Sequence, residues 1–245
     1  MKIQVLDHGY VELIEQWGNG TGKRLNDADE QHLVDFERGI IEAARQSTQG
    51  SFRGWEQDEK LLKFLYQNNH GTPFEFAGMV IEVQAPIFVF REWHRHRTQS
   101  YNEMSARYAP LPDLYYTPTV ERCMMRSSAN KQAQGVKECD EATAAHFVST
   151  RHLQQVYALA EEVYQAAIES GIPKELARLV MPVGHYSRMR ASTSLRNWLQ
   201  FLTLRMDSRA QWEIRQYANA VGELIKWNFP RTWYLFNEEK SNASR

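Results

Sequence analysis

The stretch FREWHRHRTQSYNEMSARY, Phe90 to Tyr108, gathers four arginines, two histidines and two glutamates within nineteen residues. A guanidinium is planar, always charged and carries a rigid fork of donors, so arginines at this density suit bidentate recognition of phosphates, carboxylates and nucleobase edges. A second set, Arg178, His185, Arg188, Arg190, Arg196, Arg205, Arg209 and Arg215, is spread through the later half of the chain. Yet 29 Lys and Arg face 30 Asp and Glu, a formal net charge of -1, so no long-range field draws the molecule to nucleic acid or to a membrane surface. The cationic sites must act locally. Only Glu92 and Glu103 stand near Arg95, Arg97 and Arg107 in sequence, which leaves an external anion as the natural neutraliser of that cluster. Spacing alone points to phosphorylated, planar ligands.

Other chemistries find less support. His94-x-His96 has the look of a metal pair, but flanking cations repel a divalent ion and no carboxylate or cysteine completes a ligand set at a usual spacing, so no metal is expected. Cys123 and Cys139 are the only cysteines, too few for a disulfide framework or a four-thiolate zinc site, and they suit a reducing cytosol. The run GNGTGKR lacks a P-loop's first glycine, with Trp17 in its place, and Arg24 stands where Ser or Thr should follow Lys23. No Gly-x-Gly-x-x-Gly turn follows a strand, and no serine sits in a nucleophile elbow. Non-catalytic binding of RNA or DNA is the rival class; neutral overall charge and the lack of an aromatic platform among the basic residues argue against it. No window approaches the roughly 18 apolar residues of a membrane span, and the N-terminus lacks a signal peptide's apolar core, so a cytoplasmic location is expected.

The elements that must position these residues can be read from periodicity. At 245 residues with 42% hydrophobic side chains, the chain can bury a sizeable core. MKIQVLDHGYVELIEQWG alternates like a strand pair, and GNGTGKRLNDADEQ reads as a loop. Helices are predicted over Glu30–Gln46 and Gln57–Asn68, the second ended by His70-Gly71. His70 reads either as a helix terminator or as a ligand-facing residue. Phe74 to Phe90 is nearly continuous in apolar residues, as in strands buried on both faces, with Pro86 as a break or an edge. Ala109 to Gly135 forms most of an irregular excursion, about 109–139. One long helix is predicted over Asp140–Ser170, and a short one follows with Pro173 at its first position. GHYSRMRASTS reads as extended, LRNWLQFLTLRM as helical, and SRAQWEIRQYANAVGELIKWNF as a helix opened by a Ser208-x-x-Gln211 capping box. The pattern is α+β: one helix-rich domain over residues 1–245 with an embedded, mostly antiparallel sheet.

RHRTQSYNEMSARY resembles the signature of the flavin-dependent thymidylate synthases, in which Arg-His-Arg is followed after seven residues by Ser, here Arg95, His96, Arg97 and Ser105. AARQS ending at Ser47, HGTPFEF from His70, APIFVFREWHRHR, ELARLVMPVG from Glu175 and LRMDSRAQWEIRQYA from Leu204 look like family segments in family order, from about Ala43 to Ala218. The resemblance implies a homotetramer with active sites shared between subunits, holding FAD beside dUMP. It also implies transfer of a one-carbon unit from methylenetetrahydrofolate to C5 of dUMP, with hydride from flavin that NADPH has reduced. An enzymic cysteine adduct is not required, which suits a chain without a convincing cysteine nucleophile.

Residue by residue, the resemblance puts Ser47, Thr72, Glu75, Arg95, His96, Arg97, Thr98, Asn102, Glu103, Ser194, Arg196, Gln200, Leu204 and Arg209 on FAD. The nucleotide would meet Glu92, Arg95, Glu103, Ser105, Ala106, Arg107, Arg178 and Arg205. Arg205 matches the arginine that faces the uracil ring, where a guanidinium would stabilise negative charge and shift electron density towards C5. A surface pair of Arg205 with Asp207 or Glu213 is the plainer alternative. Ser105 is expected to bind, since no general base lies at a fixed spacing from it. Four positions depart from the family pattern: Glu92 stands for a usual Gln, Ser194 and Gln200 for usual asparagines, and Arg209 for a usual His. Glu92 motivates a second reading, in which the acceptor is UMP or a cytosine nucleotide, or the product is hydroxymethylated, because a carboxylate can accept from a sugar hydroxyl or an exocyclic amine.

Overall fold

The computed structural model describes residues 1–18, 35–110, 112–126, 138–149 and 152–243. Among these residues, five strands form one antiparallel sheet in the order β1-β2-β3-β5-β4. They are β1 (Lys2–Val5), β2 (Gly9–Trp17), β3 (Gly78–Pro86), β4 (Ser100–Glu103) and β5 (Tyr186–Ser194). The helices are α1 (Arg38–Arg45), α2 (Trp55–Gln67), α3 (Ile87–Trp93), α4 (Val120–Met124) and α5 (Glu141–Val148), then α6 (Leu153–Glu169), α7 (Lys174–Ala177), α8 (Leu195–Arg205), α9 (Trp212–Asn228) and α10 (Pro230–Ala243). The α+β class and the N-terminal strand pair agree with the sequence reading. The expected loop after Gly18 and residues 30–34 of the first predicted helix lie outside the described residues.

Strand β3 organises the core. Met79, Ile81, Val83 and Ala85 are fully buried, while Val80, Glu82 and Gln84 between them are only half-buried, so one face meets the helices and the other is partly open. The expectation of strands buried on both faces therefore needs correction, and so does its length. After Pro86 the chain turns into α3, with Pro86 at the N-cap, where a residue without an N–H forfeits no helical bond. Val89, Phe90 and Trp93 of that helix pack inward against α8 and α9, with the Trp93 and Phe201 rings 4.6 Å apart. A short apolar run fits a strand or a buried helix equally well, and here packing decides. The Arg/His cluster consequently leaves a helix C-terminus rather than a strand end.

Three further boundaries differ. The long helix expected over 140–170 is two: Asp140 caps α5 by accepting from Thr143 N at 2.7 Å, and α5 stops where Ser149 turns extended and its hydroxyl donates to His146 O at 2.6 Å. Pro173 is the N-cap of α7, not its first residue. The Ser208-Gln211 box does not form, because Gln211 itself is the N-cap of α9 and makes no side-chain cap bond. The irregular excursion contains α4, capped by Thr119, and is tied to the sheet by a Tyr115–His185 bridge. On the outside, Val156, Leu159 and Val163 of α6 and Leu176, Leu179 and Val183 beside it leave an apolar face exposed, with Leu179 at 77%. No helix among the described residues is long and apolar enough to cross a membrane.

Candidate active site

The C-terminal end of α8 meets the C-terminal end of α3, and this junction brings together residues far apart in sequence. Arg205 donates from Nε to His96 Nε2 at 2.8 Å, from Nη1 to Glu92 Oε2 at 2.7 Å and from Nη2 to the Glu92 carbonyl at 2.8 Å. Its side chain is 15% exposed, against 41% for Glu92. A guanidinium has donors only, so His96 Nε2 must carry a lone pair and His96 is neutral in this arrangement. Burial, reinforced by the Arg205 charge, lowers the His96 pKa to about 4, with Glu92 opposing. Neither Asp207 nor Glu213 pairs with Arg205: Asp207 holds Arg209 at 2.9 Å, and Glu213 holds Arg122 at 2.7 Å.

Beyond this clamp the cationic loop is open. Arg95 and Arg97 are exposed, as is Arg178 after α7, and none has a side-chain hydrogen bond or ion pair among the described residues. Thr98 is fixed by its carbonyl, which accepts from Thr193 Oγ1 at 3.0 Å and Asn197 Nδ2 at 3.3 Å. Asn102 and Glu103 lie on edge strand β4, opposite Arg190 and Met189 of β5. Ser105 Oγ accepts from the Arg107 N–H at 3.3 Å, and Arg107 pairs with Glu175 at 3.3 Å while both stay exposed. Ala106 is buried. Ser105 has no general base bonded to it among the described residues.

The start of α8 holds a second cluster, nine residues or roughly 14 Å along the helix from Arg205. Arg196 pairs with Glu75 at 2.5 Å, and Gly71 backs onto Arg196 so closely that a Cβ there would stand 2.8 Å from Nε. Two clefts flank the His70-Gly71 turn. One, of about 670 Å³, is walled by Arg45, Ser47, His70, Thr72 and Phe76. The other, of about 470 Å³, is walled by Tyr66, His70, Arg196, Gln200 and Phe236. Ser47 itself donates to the Ala44 carbonyl at 3.1 Å, and Leu204 is exposed. Ser194 Oγ is buried without a hydrogen-bond partner among the described residues. A further cleft of about 670 Å³, between β1, α4 and α9, contains none of the residues singled out from the sequence.

Thus the structure joins Glu92, His96 and Arg205 in one contact, groups Ser47, Thr72 and His70 on one wall, and puts Arg196 with Glu75. Asn197 and Arg45 were not singled out from the sequence. Asn197, in the first turn of α8, bonds Thr193 near the end of β5 at 3.1 Å, across the strand-to-helix junction. Arg45 bonds the fully buried Asp58, a contact no local pattern announces. The available donors suit a dinucleotide such as FAD: guanidinium groups at Arg95 and Arg97 without partners among the described residues for a pyrophosphate, and hydroxyl-lined clefts on either side of the His70-Gly71 turn.

Comparison with known proteins follows the same lines. The family described as thymidylate synthase complementing protein matches residues 30–231. A flavin-dependent thymidylate synthase of Thermus thermophilus is 35% identical over 238 residues, covering 97% of this chain and 79% of that protein. The enzyme of the same name from Thermotoga neapolitana is 34% identical over 236 residues, covering 96% and 94%. Among solved structures, the UMP/dUMP methylase PolB from Streptomyces cacaoi bound with 5-Br dUMP superposes with a TM-score of 0.77 at 28% identity, covering 96% of this chain and 97% of that one. With a family match over residues 30–231 and relatives 34–35% identical across nearly the whole of this chain, this chain belongs to the flavin-dependent thymidylate synthase family.

Proposed function

We propose that the protein methylates C5 of dUMP to give dTMP, with methylenetetrahydrofolate as carbon donor, FAD as resident flavin and NADPH as its reductant. The observation that carries this reading is Arg205, held by three hydrogen bonds beside a loop in which Arg95 and Arg97 have no side-chain partner among the described residues. Arg95, Arg107 and Arg178 neutralise the nucleotide phosphate, and Ser105 with the adjacent backbone donates to it. Arg205 faces the uracil ring, where its guanidinium stabilises negative charge on the pyrimidine and so shifts electron density towards C5, the atom that attacks the one-carbon unit. Ser47, Thr72, Glu75, Arg97, Thr98 and Asn102 hold FAD, with Ser194, Arg196, Gln200, Leu204 and Arg209 nearby, and His70 stands where folate enters. When bound, reduced FAD supplies the hydride that completes the methyl group, so the folate leaves as tetrahydrofolate.

The exposed apolar face of α6 and α7 supports a homotetramer with shared sites, since Arg178 lies between Leu176 and Leu179 of that face and a covering subunit would bring it against a neighbouring site. A second acceptor, UMP, is favoured by Glu92 together with the likeness to PolB, also solved with 5-Br UMP at 30% identity and a TM-score of 0.77. The test is direct. Protein loaded with FAD should show flavin absorbance near ~450 nm and release tritium from C5-labelled dUMP only when methylenetetrahydrofolate and NADPH are present. Failure with both dUMP and UMP overturns the reading.

A further inference from the structure

We propose that Asp58 and Arg45 are positioning residues for FAD, a buried clasp that closes the connection between α1 and α2 at both ends and so holds Ser47 in the wall of the flavin cleft. The inference rests on the FAD reading above, which gives Ser47 and Thr72 to the cofactor and leaves Asp58 and Arg45 without a part. Its basis is the hydrogen bonding of one carboxylate. Asp58, in the first turn of α2, is fully buried. Its Oδ1 accepts from Arg45 Nη2, and its Oδ2 accepts from the Arg53 N–H at 2.6 Å. Arg45 ends α1 and Arg53 stands just before Gly54, the N-cap of α2, so a single side chain ties the two ends of the connection together.

The connection itself hangs from the end of α1. The Arg45 carbonyl accepts from Thr48 Oγ1 at 3.0 Å and from the Gly50 N–H at 3.1 Å, and Ser47 Oγ donates to the Ala44 carbonyl at 3.1 Å. Beyond one 3-10 turn, Gln46–Thr48, no regular element fixes this run, and Gln49 and Gly54 both take positive φ. The path of Ser47 therefore follows wherever Arg45 is anchored. Arg45 walls the cleft of about 670 Å³ beside Ser47, His70 and Thr72, and its Nε is buried with no hydrogen-bond partner among the described residues. Asp58 is thus the polar anchor of that side chain. A wall clasped at both ends meets its ligand already ordered, whereas an open one is competent only for the fraction of time it finds the clasped path, and the dissociation constant rises by the inverse of that fraction. A carboxylate suits the task because its two oxygens accept both donors at once. An amide of the same shape has one acceptor and can keep only one end.

The experiment follows FAD release from the flavin-loaded full chain on dilution, by the rise in flavin fluorescence. Asp58→Asn is expected to raise the FAD dissociation constant about 10-fold, as for a wall that is competent about a tenth of the time, with helical circular dichroism unchanged. Its dUMP affinity, measured at saturating FAD, should stay within about threefold of wild type, a split that general loosening of the fold would not produce. Arg45→Met combined with Asp58→Asn removes both charges, leaves no buried ion unpaired and should release FAD at least as readily. Arg45→Lys keeps a cation for Asp58 and should retain FAD within about threefold of wild type. In a Ser47→Ala background Asp58→Asn should weaken FAD by less than about threefold, because the hydroxyl it positions is already gone. Wild-type FAD affinity in Asp58→Asn, equal losses for FAD and dUMP, a tenfold loss in Arg45→Lys or full additivity with Ser47→Ala would overturn the proposal. If wild type retains no FAD, the flavin reading itself fails, an outcome distinct from these.

Discussion

Arg205 Nε and His96 Nε2 lie 2.8 Å apart, and because arginine only donates, this one contact holds a histidine neutral at the centre of the cationic loop. Protonation of His96 would place two cations face to face. The folded pKa, about 4, lies below the ordinary 6.5, so between those values the unfolded chain binds more protons than the folded one. Stability contributed here is present above pH 6.5 and is lost as pH falls towards 4. Melting temperatures followed across that window should decline more steeply for wild type than for His96→Gln, whose amide oxygen accepts from Nε without titrating.

Arg205→Lys keeps a charge but loses the fork that reaches Glu92 and His96 together. Tritium release from labelled dUMP is expected to fall by about 10²-fold, the scale of a lost preorganised donor, with flavin content unchanged. A variant with near wild-type turnover would remove Arg205 from the uracil site.

Gly71→Ala places a Cβ 2.8 Å from Arg196 Nε. The backbone there is ordinary, φ -70°, and the obstacle is the far end of a flexible side chain, so stability should change by less than about 1 kcal/mol. Arg196 must, however, swing from Glu75. Flavin retention on gel filtration should drop severalfold if that pair borders the FAD site, and stay constant if it does not.

Glu213 is 3% exposed and receives both Arg122 Nε at 2.7 Å and Tyr116 Oη at 3.2 Å. Removing the carboxylate in Glu213→Ala leaves Arg122 uncompensated and should cost about 3–5 kcal/mol in chemical denaturation. The network lies beside the cleft that holds none of the nucleotide candidates, so dUMP affinity of the remaining folded protein should be unaffected.

Leu159 is 58% exposed on the apolar face of α6. Leu159→Glu should lower the oligomeric mass measured by light scattering without loss of helical circular dichroism, because a charge there opposes burial against a second copy. An unchanged mass would show that this face is not the contact.

Much of the architecture was legible locally. The hairpin of β1 and β2 follows from alternation, α2 and α9 from helical spacing, and the cationic character of the loop after α3 from arginine density, because each signal lies within one element. The same local logic failed at Ile87–Phe90, where an apolar run serves a helix as well as a strand, and at Ser149, where a hydroxyl diverts the backbone inside an apparently continuous helix. What no local pattern could contain is the Glu92–Arg205 pair, 113 residues apart along the chain. Residue types and their order determined where arginines would cluster along the chain; only the packing of α3 against α8 decided which arginine would be held in turn by a carboxylate and a neutral imidazole. Such contacts depend on distance through space, which periodicity does not encode.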